Sequence, residues 1–251
     1  MGAQSTDAKI AAVQVVAWRR LGAAGRITVA AEMSADTRRI AEEKLRRSHP
    51  DLASVRPRSP SVSLEDALAR LIGVLEATNV PFMLTGSLAS AAHGVPRATA
   101  DLDLVVDPDP SSVDDLLAAL EAGGWRVQGG ANAARETIAE RSHVVVVDET
   151  TSWKVDLVVR KERPFSITEF ARRERLDVLG LAAWVATAED TIVSKLEWAK
   201  QTRDQLRRSQ QRRDIVGVVA SRGDDLDRTY VDRWVEALGL ADEWRLACAA
   251  Q

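Results

Sequence analysis

The chain has 251 residues, 45% of them apolar and 28% charged, with 34 Lys+Arg against 37 Asp+Glu and a formal net charge of −3. Those proportions exclude a disordered or fibrous protein and give no chain-wide basic surface for nucleic acid or membrane. The single cysteine, Cys248, excludes an intrachain disulfide framework and a cysteine-based zinc site, and fits a reducing, intracellular compartment.

No apolar run reaches the roughly 20 residues that span a bilayer, and the N-terminal residues lack a signal-peptide pattern, so a cytoplasmic protein with no membrane partner is expected. Residues 1–60 carry 11 basic and 6 acidic residues, against 23 and 31 in the remainder. This asymmetry sets off a short helical N-terminal module. Ile10, Val13, Val16 and Ala17 recur at helical spacing, and Ala31 to Leu45 makes a second helix ending at His49-Pro50. Gly22 and Gly25 punctuate between the two, and Pro57 and Pro60 mark a linker.

A helix opens at Ser63, with Asp66 three residues on as in an N-terminal cap and a stripe of Leu64, Leu68, Leu71, Ile72 and Leu75. Pro81 to Thr85 then reads as a short buried strand ending at Gly86, and Ser87 to His93 as two helical turns. Asp101 to Asp107 begins with strict alternation, the mark of a strand with one polar face. Pro110 to Gly123 is a helix capped by Ser111 or Ser112. His143–Val147 and Trp153–Val159 form a hairpin, Arg175 to Trp184 adds a strand, and from Thr187 onward the pattern is helical. The fold class expected is α+β: a core at 61–186 with a mixed β-sheet flanked by helices, a helical C-terminal domain at 187–251, and the N-terminal module at 1–60.

Three features carry chemistry. Gly86-Ser87 lies at a strand-to-helix junction, where glycine permits close backbone approach and the following amides suit a phosphate; it also serves as plain turn chemistry. Asp101 and Asp103, two apart on a strand, place two carboxylates on one face. Such a pair suits Mg²⁺ with phosphate oxygens as further ligands, or is a solvated strand face. Asp156 lies mid-strand between apolar neighbours. If its strand pairs with the first, three carboxylates share a face, enough for two metal ions across a transferring phosphoryl group. No G-x-G-x-x-G turn and no G-x-x-x-x-G-K-[ST] loop is present.

Together, Gly86-Ser87, Asp101-x-Asp103 and the later strand Asp156 resemble the DNA polymerase β-type nucleotidyltransferase superfamily over roughly residues 80–160. Arg97-Ala98-Thr99-Ala100-Asp101-Leu102-Asp103 is similar to the signature of abortive-infection (AbiEii-like) and type IV toxin–antitoxin nucleotidyltransferase toxins. Glu189 to Leu196 resembles their helix bearing an active-site lysine, here Lys195, and Arg213-Asp214-Ile215-Val216 their later helix bearing an aspartate. The resemblance implies a nucleotidyltransferase core and Mg²⁺-dependent, pyrophosphate-releasing transfer of NMP from an NTP to RNA (tRNA) or a protein hydroxyl, with a cognate antitoxin as partner. It also implies roles: Asp101, Asp103 and Asp156 on Mg²⁺, Gly86 and Ser87 on phosphates, Lys195 on the triphosphate, and Asp214 in support. The alternatives are a small-molecule (aminoglycoside-type) nucleotidyltransferase and a nucleotide-binding module without catalysis.

Read from the residues alone, Lys195 beside an apolar helix face snorkels to water or reaches a phosphate, and Asp214 makes a surface ion pair. Arg97 clamps a phosphate or pairs with Asp101 or Asp103, and Thr99 caps or places its hydroxyl near the nucleotide. Lys195 to Arg213 holds seven Lys/Arg, a solvated helix face or a surface for RNA, with Arg172, Arg173 and Arg175 as additions. The +5 N-terminal module is a packing extension, a built-in neutraliser or an RNA-binding arm. His49, His93 and His143 have no metal-ligand spacing and read as structural.

Overall fold

The computed structural model describes residues 2–48 and 63–249; within the first range, side chains are described at 14–37 and 40. The linker expected at Pro57 and Pro60, the stop at His49-Pro50 and the side chains of Ile10 and Val13 lie outside the described residues.

Helix α1 (Gly2–Ser48) is broken at Gly22, whose φ of 66° and ψ of −179° leave the helical region. Gly25 stays within the helix, so one of the two expected punctuation points breaks it. Helix α2 (Leu64–Ala77) carries the full capping box: Asp66 N–H donates to the Ser63 hydroxyl and Ser63 N–H donates to the Asp66 carboxylate. Its Leu64, Leu68, Leu71, Ile72 and Leu75 stripe is buried, at about 1.5–3 kcal/mol per side chain removed from water.

Strand β1 (Phe82–Leu84), helix α3 (Gly86–His93) and strand β2 (Asp101–Val106) follow as the sequence suggests. A single 3₁₀ turn at Pro110–Ser112 leads into α4 (Val113–Ala122), and its cap is Asp109 rather than Ser111 or Ser112, since the Asp109 carboxylate accepts from Ser111 N–H. Strand β3 (Trp125–Val127) and helix α5 (Gly130–Ala139) lie between the expected segments. Strands β4 (His143–Asp148) and β5 (Lys154–Val159) form the expected hairpin. Helix α6 (Pro164–Arg172) precedes β6 (Glu174–Val178) and β7 (Leu181–Val185). The expected single strand over 175–184 is thus a hairpin, turned by Leu179 and Gly180, both at positive φ. Helices α7 (Ala188–Gln201), α8 (Gln205–Arg222), α9 (Arg228–Ala237) and α10 (Ala241–Cys248) complete the described residues.

The strands form one seven-stranded mixed sheet in the order β3-β4-β5-β2-β1-β7-β6. The architecture is α+β, as expected: a mixed sheet flanked by helices and followed by a helical C-terminal region. Two apolar clusters hold it. One joins the sheet to α2, α3, α4 and α5; the other joins α7, α8, α9 and α10 with Phe165 of α6. Helix α1 packs against α3, β6 and α8. Its buried Arg26 donates to the Ala91 and Ala92 carbonyls at the C-terminal end of α3, and Arg19 donates to the Ala220 and Ser221 carbonyls near the end of α8. A cation at a helix C-terminus is favoured by the dipole and satisfies carbonyls the helix leaves without partners. No helix among the described residues is long and apolar enough to cross a membrane.

Candidate active site

β2 and β5 are parallel neighbours, and Asp103 is the direct register partner of Asp156. Period-two alternation puts Asp101 on the same face, while Leu102, Leu104, Val155 and Leu157 point into the core. The strand pairing thus brings the three sequence-predicted carboxylates to one face. Burial first, and the charges of Asp101 and Asp156 second, push the Asp103 carboxyl up to about 6. Lys154, the residue paired with Asp101, donates from Nζ to Asp156 Oδ2 at 2.7 Å, and that bond raises the lysine's own pKa.

The Gly86 turn closes on this face. Thr85 N–H donates to the Asp103 carbonyl at 2.9 Å, and Gly86 sits at φ +62°. A Cβ at Gly86 would stand 2.0 Å from Asp103 Oδ2, so only glycine fits against that carboxylate. The first-turn amides of α3 have no acceptor within the helix and carry the positive end of its dipole. Ser87 contributes an amide here, because its hydroxyl donates to Thr99 Oγ1 at 2.7 Å. Thr99 in turn donates to the Asp101 carbonyl at 2.9 Å, and its N–H donates to the hydroxyl of buried Ser34 on α1 at 2.8 Å. Thr99 therefore braces the turn, the acid-bearing strand and the N-terminal helix against one another.

Lys195 does not snorkel. It is 4% exposed and donates to Asp214 Oδ2 at 2.7 Å and to Gln211 Oε1 at 3.0 Å. Asp214, 8% exposed, is no surface pair: Arg97 reaches it through two bonds of 2.9 Å, and Gln210 donates to it at 2.8 Å. Arg97 thus pairs with Asp214 rather than with Asp101 or Asp103. Burial pulls the Lys195 ammonium below its ordinary range. Burial alone would raise Asp214, but Lys195 and Arg97 hold it below the usual carboxylate range. The positive field of Lys195 also reaches Asp103 and draws its pKa back down.

Beyond the acids, Val105 and Val158 continue the same strand faces and floor a cleft shared with Thr85, Glu169 of α6, and Ser194 and Trp198 of α7. Glu169 lies on α6, for which the sequence offers only Pro164 followed by the Phe165 and Phe170 spacing as a helix signal. The basic run is largely occupied. Lys195 is buried, Arg212 pairs with Glu243, and Arg208 and Lys200 donate to the Thr202 and Gly239 carbonyls, leaving Arg203, Arg207 and Arg213 exposed. Arg172 lies over the Tyr230 ring and pairs with Asp190. His93 is buried and bonded to the Ala186 carbonyl, and burial pushes its pKa down to about 4, a structural role.

Among the described residues, no group of three His, Cys, Asp or Glu side chains stands together as a ready metal cage. The donor chemistry of the acid face nevertheless fits a hard divalent cation. Its three carboxylates offer oxygen donors, with the Lys154 ammonium on Asp156 Oδ2, and Asp103 carries a burial and like-charge penalty that a cation relieves.

No protein-family model and no curated protein matches the chain. Among solved structures, it is similar to the crystal structure of ANT(2")-Ia in complex with adenylyl-2"-tobramycin, at 14% identity and a TM-score of 0.47, over 68% of this chain and 97% of that one. The solution structure of the antibiotic-resistance factor ANT(2'')-Ia gives 13% and 0.46, over 71% and 94%. An antigenic nucleotidyltransferase-like protein from Paracoccidioides brasiliensis gives 17% and 0.45, over 71% and 91%.

Proposed function

We propose that this chain is a Mg²⁺-dependent nucleotidyltransferase that moves an NMP from an NTP to an acceptor hydroxyl and releases pyrophosphate. The observation that carries the reading is the register of Asp103 with Asp156, with Asp101 on the same face and the Gly86 turn packed on the Asp103 carboxylate. Asp101, Asp103 and Asp156 would hold Mg²⁺, which when bound supplies charge neutralisation at the transferring phosphoryl group. The chain's own part is positioning. The α3 amides at Gly86 and Ser87 receive phosphate oxygens. Lys195, fixed by Asp214, supplies a buried positive field facing Asp103. Arg97 and Thr99 act through Asp214 and the turn, as positioning residues rather than direct ligands.

For the acceptor, the reading favours RNA, with tRNA first. The exposed Arg203, Arg207 and Arg213 and the exposed Trp198 at the cleft offer backbone charge and a stacking face. A protein hydroxyl and a small aminoglycoside-type molecule are the competing acceptors, and a toxin role restrained by an antitoxin is the physiological setting the sequence resemblance suggests. The test is label transfer from each of four α-labelled NTPs with Mg²⁺, using total tRNA, total protein or an aminoglycoside panel. Asp101→Ala/Asp103→Ala runs beside the wild type. Label on one acceptor class that vanishes in the double variant is the expected result. A protein that binds no NTP and labels nothing overturns the reading.

A further inference from the structure

Of the three carboxylates on the acid face, Asp156 alone has an ion-pair partner among the described residues. That partner is Lys154, whose Nζ donates to Asp156 Oδ2 at 2.7 Å. The two are neighbours by construction. Lys154 lies two residues before Asp156 on β5, so alternation puts both side chains on one face, and the β2–β5 register sets Lys154 beside Asp101. The face thus carries a cation of its own. Beyond the bond to Asp156, the charges of Asp101 and Asp103 attract it as well.

The two lysines of the site are held in opposite ways. Lys195 is buried and gripped by Asp214 and Gln211. The Lys154 side chain is 44% exposed, and its one side-chain bond among the described residues is to Asp156. A pair with water on one side is weakly held, and rotation of the lysine side chain is enough to release it. The acids as they stand form no ready metal cage among the described residues, so a cation that takes all three must rearrange them. Asp156 cannot turn to a metal and keep its present bond unchanged. A dication and an ammonium sharing one carboxylate also repel each other, by more than a half-exposed ion pair returns.

We propose that Lys154 is an internal counter-ion of the acid face: a divalent cation that binds there takes Asp156 from it, and the ammonium swings out to water. The inference rests on the nucleotidyltransferase reading. Lys154 then sets how tightly the site holds a metal. It offsets one of three crowded carboxylates in the metal-free protein, and it is released before all three act together on a cation. It is a positioning residue, acting through Asp156.

The test reads metal binding and lysine reactivity rather than transfer. Free Mn²⁺ is counted by electron paramagnetic resonance during titration of wild type, Lys154→Met, Lys154→Arg and Asp101→Ala/Asp103→Ala. In folded wild type, Lys154 is labelled with an amine-acylating reagent, with and without saturating Mg²⁺, and read by mass spectrometry against exposed Lys161. Lys154→Met should bind Mn²⁺ about 10-fold tighter, since a competing charge a few ångströms from the metal is gone. Lys154→Arg, which keeps that charge, should bind no tighter than wild type. Mg²⁺ should raise Lys154 labelling several-fold relative to Lys161, because an amine freed from a carboxylate acylates faster. The labelling decides the matter if Lys154→Met fails to fold. Labelling unmoved by Mg²⁺, or Lys154→Met binding Mn²⁺ no tighter than wild type, overturns the proposal. Failure of the parent reading looks different: wild type then binds no Mn²⁺, or Asp101→Ala/Asp103→Ala binds it equally well, and the proposal falls with it.

Discussion

Asp103 and Asp156 sit at the same register position on adjacent parallel strands, while the Cα of Gly86 is so close to Asp103 that a methyl group there would overlap its carboxylate. The three residues come from separate segments, yet each constrains the next. Asp103 bears the consequence, held in a carboxyl-crowded, desolvated position that raises its pKa to about 6.

A raised carboxyl pKa means the native state holds its proton where the unfolded chain, near 3.8, has lost it. Stability contributed by Asp103 is therefore full below about pH 4 and declines as pH rises through 6. Asp103→Asn should remove this decline and stabilise the metal-free protein at pH 7.5 by on the order of 1–2 kcal/mol, while abolishing transfer. Urea midpoints at pH 4, 6 and 7.5 check it. Mg²⁺ should raise the wild-type midpoint more at pH 7.5 than at pH 5 and leave Asp103→Asn nearly unmoved.

Gly86→Ala tests the close approach. The added Cβ must displace the Asp103 carboxylate or the turn, and the backbone pays about 1–2 kcal/mol for a side chain at positive φ. The expected variant folds with a modestly lower Tm. Transfer falls about 100-fold, the usual effect of an ångström-scale displacement at reacting groups. Gly180, also at positive φ but with open space around it, is the control: Gly180→Ala should show the loss in Tm alone.

The Lys195–Asp214 pair should respond asymmetrically. Asp214→Asn strips the buried ammonium of its counter-charge and should cost about 3–5 kcal/mol. Lys195→Met leaves Asp214 with Arg97 and Gln210 and should cost about 1–2 kcal/mol. Lys195→Met should also weaken NTP binding, because the field facing Asp103 is gone. Chemical denaturation of both single variants and the double variant gives the comparison.

Ser34→Ala leaves the buried Thr99 N–H without its acceptor, a loss of about 1–3 kcal/mol. Since Thr99 also braces Ser87 and Asp101, NTP affinity should fall with it, and Ser34→Thr should restore both. Unfolding midpoints and nucleotide titrations read the two effects.

Much of this arrangement was legible in the sequence because it is local. Alternation put Asp101 and Asp103 on one face, the Ser63 and Asp66 spacing produced a real capping box, and Gly86 marked the strand-to-helix turn. What stayed hidden depends on distant partners. The pairing of β2 with β5 rather than another strand, the burial of Lys195, and the grip of Ser34 on Thr99 all rest on tertiary neighbours that spacing does not encode. The three-residue β3 is too short for a period to register, and the tight Leu179-Gly180 turn hid the β6–β7 hairpin inside what looked like one strand.

The adjacency of β2 and β5 also dictates when the three carboxylates can come to share a face. Although neighbours in the sheet, they are separated along the chain by α4, β3, α5 and β4. During synthesis the Gly86 turn and the Asp101–Asp103 strand are translated before Asp156, and Asp214, which fixes Lys195, is translated later still. A nascent chain therefore carries the parts of the site without the site. The Lys195–Asp214 pair forms only when α8 packs on α3 and α7.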